Sequence, residues 1–181
     1  LPALFDSSNM AVTQYFAASK DGTKVPYFVV RRKDATAPAG AVVHATDLVV
    51  SAQAQNAFCC VRPPGHHAER VRAMGFCFFN NLAVGAAHAM EAHGLERVAV
   101  VDFDVHPGNG TEDIFCDDHR GLMVSTFQHP FYPYSGVDGR SERMVNIPLP
   151  AYSDGGKFRD AVRTWWLPAL EAFRPQMLFI S

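Results

Sequence analysis

The 181-residue chain has almost no net charge: 16 Lys and Arg stand against 18 Asp and Glu, leaving −2. No electrostatic pull toward nucleic acid follows from that balance, so no direct nucleic-acid partner is expected. No apolar run reaches membrane-spanning length and no signal peptide is visible, so no membrane partner is expected either. Cysteine is sparse. Cys59, Cys60, Cys77 and Cys116 lack zinc-finger spacing and read as free thiols of a reducing, cytoplasmic compartment. There is no internal repeat and no low-complexity tract. What is present is a 48% hydrophobic composition, enough for a core, at a length that suits one α/β domain. Composition says nothing about the oligomeric state.

The most informative stretch runs from Asp102 to Gly110. Side chains two apart along a strand share a face. Asp102, Asp104 and His106 would therefore point one way, and Val101, Phe103 and Val105 would point the other, where they can be buried. Buried carboxylates cost several kcal/mol unless a metal, a cation or strong donors accompany them, so this face reads as a metal or proton-handling site. Pro107-Gly108-Asn109-Gly110 then breaks the strand at its C-terminal edge. Open parallel sheets bind their ligands at that edge.

A second cluster lies upstream. Ala57-Phe58-Cys59-Cys60-Val61 looks like a buried strand, followed by Arg62-Pro63-Pro64-Gly65-His66-His67-Ala68-Glu69. Adjacent histidines on a loop after a strand suit a general-base pair or a ligand pair. Alone the dipeptide is a weak signal; beside Asp102, Asp104 and His106 it is a strong one.

These segments, together with Met74-Gly75-Phe76-Cys77-Phe78-Phe79-Asn80-Asn81, resemble the histone deacetylase family, nearest to its class II branch and the bacterial deacetylase-like amidohydrolases. The resemblance runs from about residue 39 to 181. It implies a partial arginase/deacetylase-like α/β fold, a mostly parallel sheet flanked by helices, truncated at both ends. Asp104 and His106 are then two of three protein ligands of a catalytic Zn2+. Asp102 orients His66. Asn109 partners His67 where many relatives carry Asp; an amide cannot stabilise an imidazolium as a carboxylate does, which leaves His67 neutral and available as a base. The resemblance also makes Gly75 the backbone acceptor for the substrate amide, and makes Phe76 and Tyr132 walls of an acyl-lysine tunnel. Ser125 with the carbonyls of Asp102, Asp104 and His106 resembles a buried, structural K+ site.

The implied reaction is hydrolysis of an acetylated amine, the side chain of acetyl-lysine or a small acetylated amine such as an acetylpolyamine, to acetate and free amine. The alternatives are a dinuclear manganese hydrolase of arginase-like fold and a non-catalytic acyl-lysine-binding or remnant module. The first would need a second carboxylate shortly after His106, where Gly108 stands. The family's third zinc ligand, an Asp, follows a strand resembling Gln176 to Ser181, and its Tyr or His motif comes later still. The chain is therefore expected to be an inactive fragment. The alternation between Ala11 and Val30 reads as two strands about an Asp21-Gly22 turn. Residues 3–36 are similar to the hairpin that opens prolyl oligopeptidase catalytic domains, which suggests a foreign segment over 1–38 ahead of a deacetylase-like domain over 39–181.

Elsewhere the pattern predicts helices over 80–93, 111–115 and from Asp154 onward, the last disturbed at Pro168, and strands over 97–104, 121–127, 144–149 and 176–181. His88 and His93 read as surface or packing residues, and His44 and His119 show no partner pattern. His129 falls near a pocket rim. Glu69 and Arg70 read as loop or rim residues, Asp117 and Asp118 as a solvated turn, and Trp165-Trp166 as helix–sheet packing.

Overall fold

The computed structural model describes residues 10–18, 24–32, 38–138 and 141–181. The chain divides into two units, Leu1–Ala37 and Pro38–Ser181. In the first, β1 (Met10–Ala18) and β2 (Lys24–Arg32) pair antiparallel, with Thr13 opposite Val29 and Tyr15 opposite Tyr27. The turn expected at Asp21-Gly22 lies outside the described residues.

The second unit is built on a four-stranded parallel sheet. After α1 (Pro38–Val50) and α2 (Asn81–His93) come β3 (Val98–Asp102), α3 (Asn109–Phe115), β4 (Gly121–Gln128) and β5 (Met144–Leu149). A long helical stretch follows, α4 (Gly155–Ala161), a π-helical turn over Val162–Trp166 and α5 (Leu167–Phe173), and β6 (Met177–Ile180) closes the order. Local signals explain the boundaries. Asn80 caps α2 by accepting from the Ala83 N–H, and left-handed Gly94 ends it. Asp154 caps α4 by accepting from the Lys157 N–H. The proline that was expected to disturb this stretch sits in the first turn of α5, just past the π turn.

The strands run β5-β4-β3-β6, all parallel. The two central strands, β3 and β4, are flanked on both faces, as buried parallel strands require, whereas Leu178 and Ile180 of edge strand β6 are exposed. Val98 and Val100 face a cluster with Ala83, Ala86, Ala89, Met90, Phe115 and Met123. Ala99, Leu122 and Val124 face Trp166, with Phe158, Val162 and Phe173 around it. Fully burying a side chain such as Met123 or Phe127 contributes roughly 1.5–3 kcal/mol. Trp166 meets the expectation of helix–sheet packing; its neighbour Trp165 is exposed.

Two expectations fail here. The run 57–61 forms no strand, and Phe58 is 92% exposed. Apolar composition cannot supply a strand with a neighbouring edge, and no described strand pairs with this run. β3 stops at Asp102 rather than 104. Beyond it the alternation persists but its burial is inverted: Phe103 (57% exposed) and Val105 face solvent, while Asp102 is fully buried. The chain has left the sheet there, so no helix layer covers those apolar side chains.

The topology selects one sheet edge. From β3 the chain moves to β4 and β5 on one side, then returns to β6 on the other. The C-terminal end of β3 is thus the switch point, where open α/β sheets form their crevice. No helix of the described residues is long and apolar enough to cross a membrane.

Candidate active site

Asp102 closes β3 and its carboxylate does two things. Oδ1 accepts from the Asp104 N–H at 3.1 Å, curling the chain back over the strand end. Oδ2 accepts from His66 Nδ1 at 2.9 Å. His66 and His67 are both buried, and their rings lie 4.1 Å apart. The loop that carries them is tied to the start of α3, where the Gly110 and Thr111 N–H groups donate to the His66 carbonyl at 2.9 and 3.2 Å. That approach needs a glycine: a Cβ on Gly110 would lie 2.2 Å from the Ala68 carbonyl oxygen.

His67 is held differently. Its Nδ1 lies 2.8 Å from Asn109 Oδ1, the first residue of α3. Asn109 Nδ2 donates to Glu69 Oε1 at 2.7 Å, and Glu69 in turn pairs with Arg72 at 3.1 Å. The carboxylate fixes which way the amide faces. The amide oxygen then demands a proton on His67 Nδ1, which leaves Nε2 as a free base. Glu69 was read from the sequence only as a loop or rim residue. Its three-residue spacing to Arg72 was the one available hint, and it pointed to a surface ion pair.

Asp104 and His106 follow on the loop. Asp104 Oδ1 accepts from the His106 N–H at 2.7 Å and lies 2.9 Å from His106 Nδ1, with His66 Nε2 3.9 Å away. A carboxylate oxygen and an imidazole nitrogen therefore meet at one point that the buried histidine also faces. This donor set fits Zn2+, which takes imidazole nitrogen and carboxylate oxygen. Phe131 stacks on the His106 ring at 4.9 Å, and Tyr132 stands edge-on to His67 at 5.3 Å and to His106 at 6.1 Å. Phe131 was not singled out from the sequence; its place beside Tyr132 was the available signal.

Gly75 adopts φ +57°, and a Cβ there would lie 2.3 Å from His67 Cδ2, so its backbone presses against the base. Phe76 beside it is 90% exposed. Ser125 is opposite Asp102 in the sheet register, fully buried, and its Oγ has no hydrogen-bond partner among the described residues. A buried hydroxyl without a partner is costly, and a K+ bound there would satisfy it.

The electrostatics separate the two histidines. Burial works against charge on His66, but the Asp102 hydrogen bond and the Asp102 and Asp104 carboxylates outweigh it and raise its pKa above 6.5. His67 is pushed below 6.5, by burial first and by the charge of His66 second, and the Asn109 amide restores too little. Asp104 stays below the usual carboxylate range: burial raises it, but the His106 N–H and the nearby imidazoles lower it more.

The sequence model of the Histone deacetylase domain matches residues 4–181. The chain belongs to the histone deacetylase family. It is 43% identical to the histone deacetylase-like amidohydrolase of Pseudomonas aeruginosa, over 79% of this chain and 40% of that protein. It is 39% identical to the human polyamine deacetylase HDAC10, over 79% of this chain and 23% of that one. Among solved structures, an acetylpolyamine aminohydrolase from Burkholderia pseudomallei superposes with a TM-score of 0.72 at 36% identity, covering 80% of this chain and 44% of that chain. The HDA15 HD domain gives the same values. This deacetylase-family chain thus has the arginase/deacetylase α/β fold and spans less than half the length of these relatives. The likeness of residues 3–36 to a prolyl oligopeptidase hairpin is not borne out, because the deacetylase match takes in those residues from 4 onward.

Proposed function

We propose that these residues carry the proton-handling half of a zinc deacetylase site that hydrolyses an acetylated amine, either acetyl-lysine or a small acetylated amine. One observation carries the reading. Two buried histidines in contact have partners of opposite character, a carboxylate for His66 and an amide for His67, and both face the Asp104–His106 pair. Relatives named as histone and polyamine deacetylases support the substrate class.

Asp104 and His106 would hold the zinc, which when bound acidifies a water and polarises the acetyl carbonyl. Neutral His67 takes the water proton at Nε2, because Asn109 keeps the other proton on Nδ1. His66, whose protonated form Asp102 favours, stabilises negative charge on the tetrahedral intermediate, and His67 returns the proton it took to the leaving amine. The Gly75 carbonyl accepts from the substrate amide N–H, and Phe76 and Tyr132 flank the acyl chain. K+ at Ser125 supports the end of β3. Catalytic zinc has three protein ligands, whereas two groups converge here among the described residues. A site of two protein ligands is expected to hold zinc weakly.

A fluorogenic acetyl-lysine substrate and an acetylpolyamine, assayed under excess Zn2+, test the reading. Slow turnover that disappears in His67→Ala and Asp104→Ala supports it. Turnover indifferent to both substitutions overturns it. Binding of an acetyl-lysine peptide with no turnover favours the non-catalytic reading.

A further inference from the structure

Outside this site, the helices α1 and α2 bring together three side chains that the deacetylase chemistry does not use. His88 Nε2 and His93 Nε2 lie 2.6 and 2.7 Å from the same oxygen, Asp47 Oδ1. The two rings stand edge-to-face with centroids 5.2 Å apart. All three ligand atoms fall within 4.8 Å of one another, and among the described residues no other three His, Cys, Asp or Glu side chains converge this way.

We propose that Asp47, His88 and His93 form a second metal site, for a first-row transition-metal dication of the Zn2+ or Cu2+ class, at the partly exposed seam between α1 and α2.

The backbone that presents the ligands is firmly set. A Cβ on Gly85 would lie 2.5 Å from Val42 Cγ1 and 3.1 Å from the Phe179 ring, so α1 sits directly on α2 only because residue 85 is glycine. Buried Thr46, beside Asp47, anchors the same turn by donating its hydroxyl to the Val42 carbonyl at 2.9 Å. His93 is the last residue of α2, so it reaches Asp47 around the helix end while His88 reaches it from the helix face. That explains the five-residue spacing between the histidines, which hides the site from a search for paired ligands one turn apart.

The donor set selects the ion. Two imidazoles and one carboxylate suit Zn2+, Cu2+ and Ni2+, whereas Ca2+ and Mg2+ favour oxygen throughout. With metal–ligand bonds near 2.1 Å, tetrahedral ligand atoms stand about 3.4 Å apart. The present contacts of 2.6 and 2.7 Å need to open by about 0.7–0.8 Å, a rotation of partly exposed side chains. A bound ion takes Nε2 of each imidazole, so each ring must carry its remaining proton on Nδ1. Asp47 is already below the usual carboxylate range, owing first to its hydrogen bond with His88 and then to that with His93. The bound ion cross-links α1 to α2 and stabilises the folded unit by mass action.

Cu2+ titration of the full chain, followed by electron paramagnetic resonance, tests the site. The expected result is one equivalent with superhyperfine splitting from two nitrogens. It should persist in the Asp104→Ala/His106→Ala variant and weaken about tenfold or more in His88→Gln/His93→Gln. Retention of full affinity in the latter, or its loss in the former variant when circular dichroism shows that variant folded, overturns the proposal. Should the former variant not fold, the readout is histidine NMR of the unsubstituted chain at substoichiometric Cu2+. Broadening of His88 and His93 ahead of His106 supports the site, and the reverse order refutes it.

Discussion

Glu69 and Asn109, forty residues apart in sequence, share a hydrogen bond of 2.7 Å in which the amide Nδ2 donates to the carboxylate. Through Asn109 that carboxylate decides which face of the amide His67 meets. Glu69 is thus a positioning residue for the base. Glu69→Ala is expected to cost about 1.5–3 kcal/mol, the value of a hydrogen bond to a charged group, in denaturant melts. In the same variant the His67 titration seen by NMR should change, because the amide is free to turn. A stability loss with an unchanged His67 titration would reduce Glu69 to a structural role.

The two histidines should titrate on opposite sides of 6.5 in metal-free protein, His66 above and His67 below. The signs for stability follow. His66 contributes stability that is complete below 6.5 and is lost as pH rises through its raised folded value. His67 resists protonation in the fold, so it costs stability as pH falls from 6.5 through its lowered value. Site-resolved 15N NMR titration reads both. Asp102→Asn should bring His66 down, and a His66 that stays high in that variant would contradict its assigned cause.

Gly110→Ala places a methyl group 2.2 Å from the Ala68 carbonyl oxygen, a backbone atom that cannot swing aside. The expected loss is about 2–3 kcal/mol, because α3 must lift from the histidine loop. Gly110 and Thr111 would then withdraw from the His66 carbonyl. Thermal melts measure the first effect, and amide hydrogen exchange at the start of α3 measures the second.

Ser125 separates a K+ site from a mere packing hydroxyl. Raising K+ against choline at constant ionic strength should raise the melting temperature of the unsubstituted chain, by linkage of ion binding to folding. Ser125→Ala should weaken that response while being close to neutral without K+, since the hydroxyl it removes has no protein partner among the described residues. An equal K+ response in both proteins would place the ion elsewhere or nowhere.

Much of the framework was legible in the residues because its causes are local. The run Met144 to Leu149 forms a strand with the expected limits, and Asn80, Gly94 and Asp154 sit at helix ends through capping chemistry that operates over three or four residues. Asp102, Asp104 and His106 were visible as a set because period-two alternation survives even after β3 has ended. The same local reading misjudged 57–61, Phe103 and Val105. Burial depends on what lies opposite a side chain, and that is not written in its own segment.

By itself the sequence determined the kinds of groups present and the strand and helix periods. Only the tertiary structure decided which groups meet. The 36-residue step from His66 to Asp102 and the 40-residue step from Glu69 to Asn109 are closed by docking the histidine loop on the end of β3 and the start of α3, and the 46-residue step from Asp47 to His93 by packing α1 on α2. Hydrogen bonds reach about 3 Å. No spacing along the chain can predict such a contact until the sheet order and the close docking of α1 on α2 have set the distances.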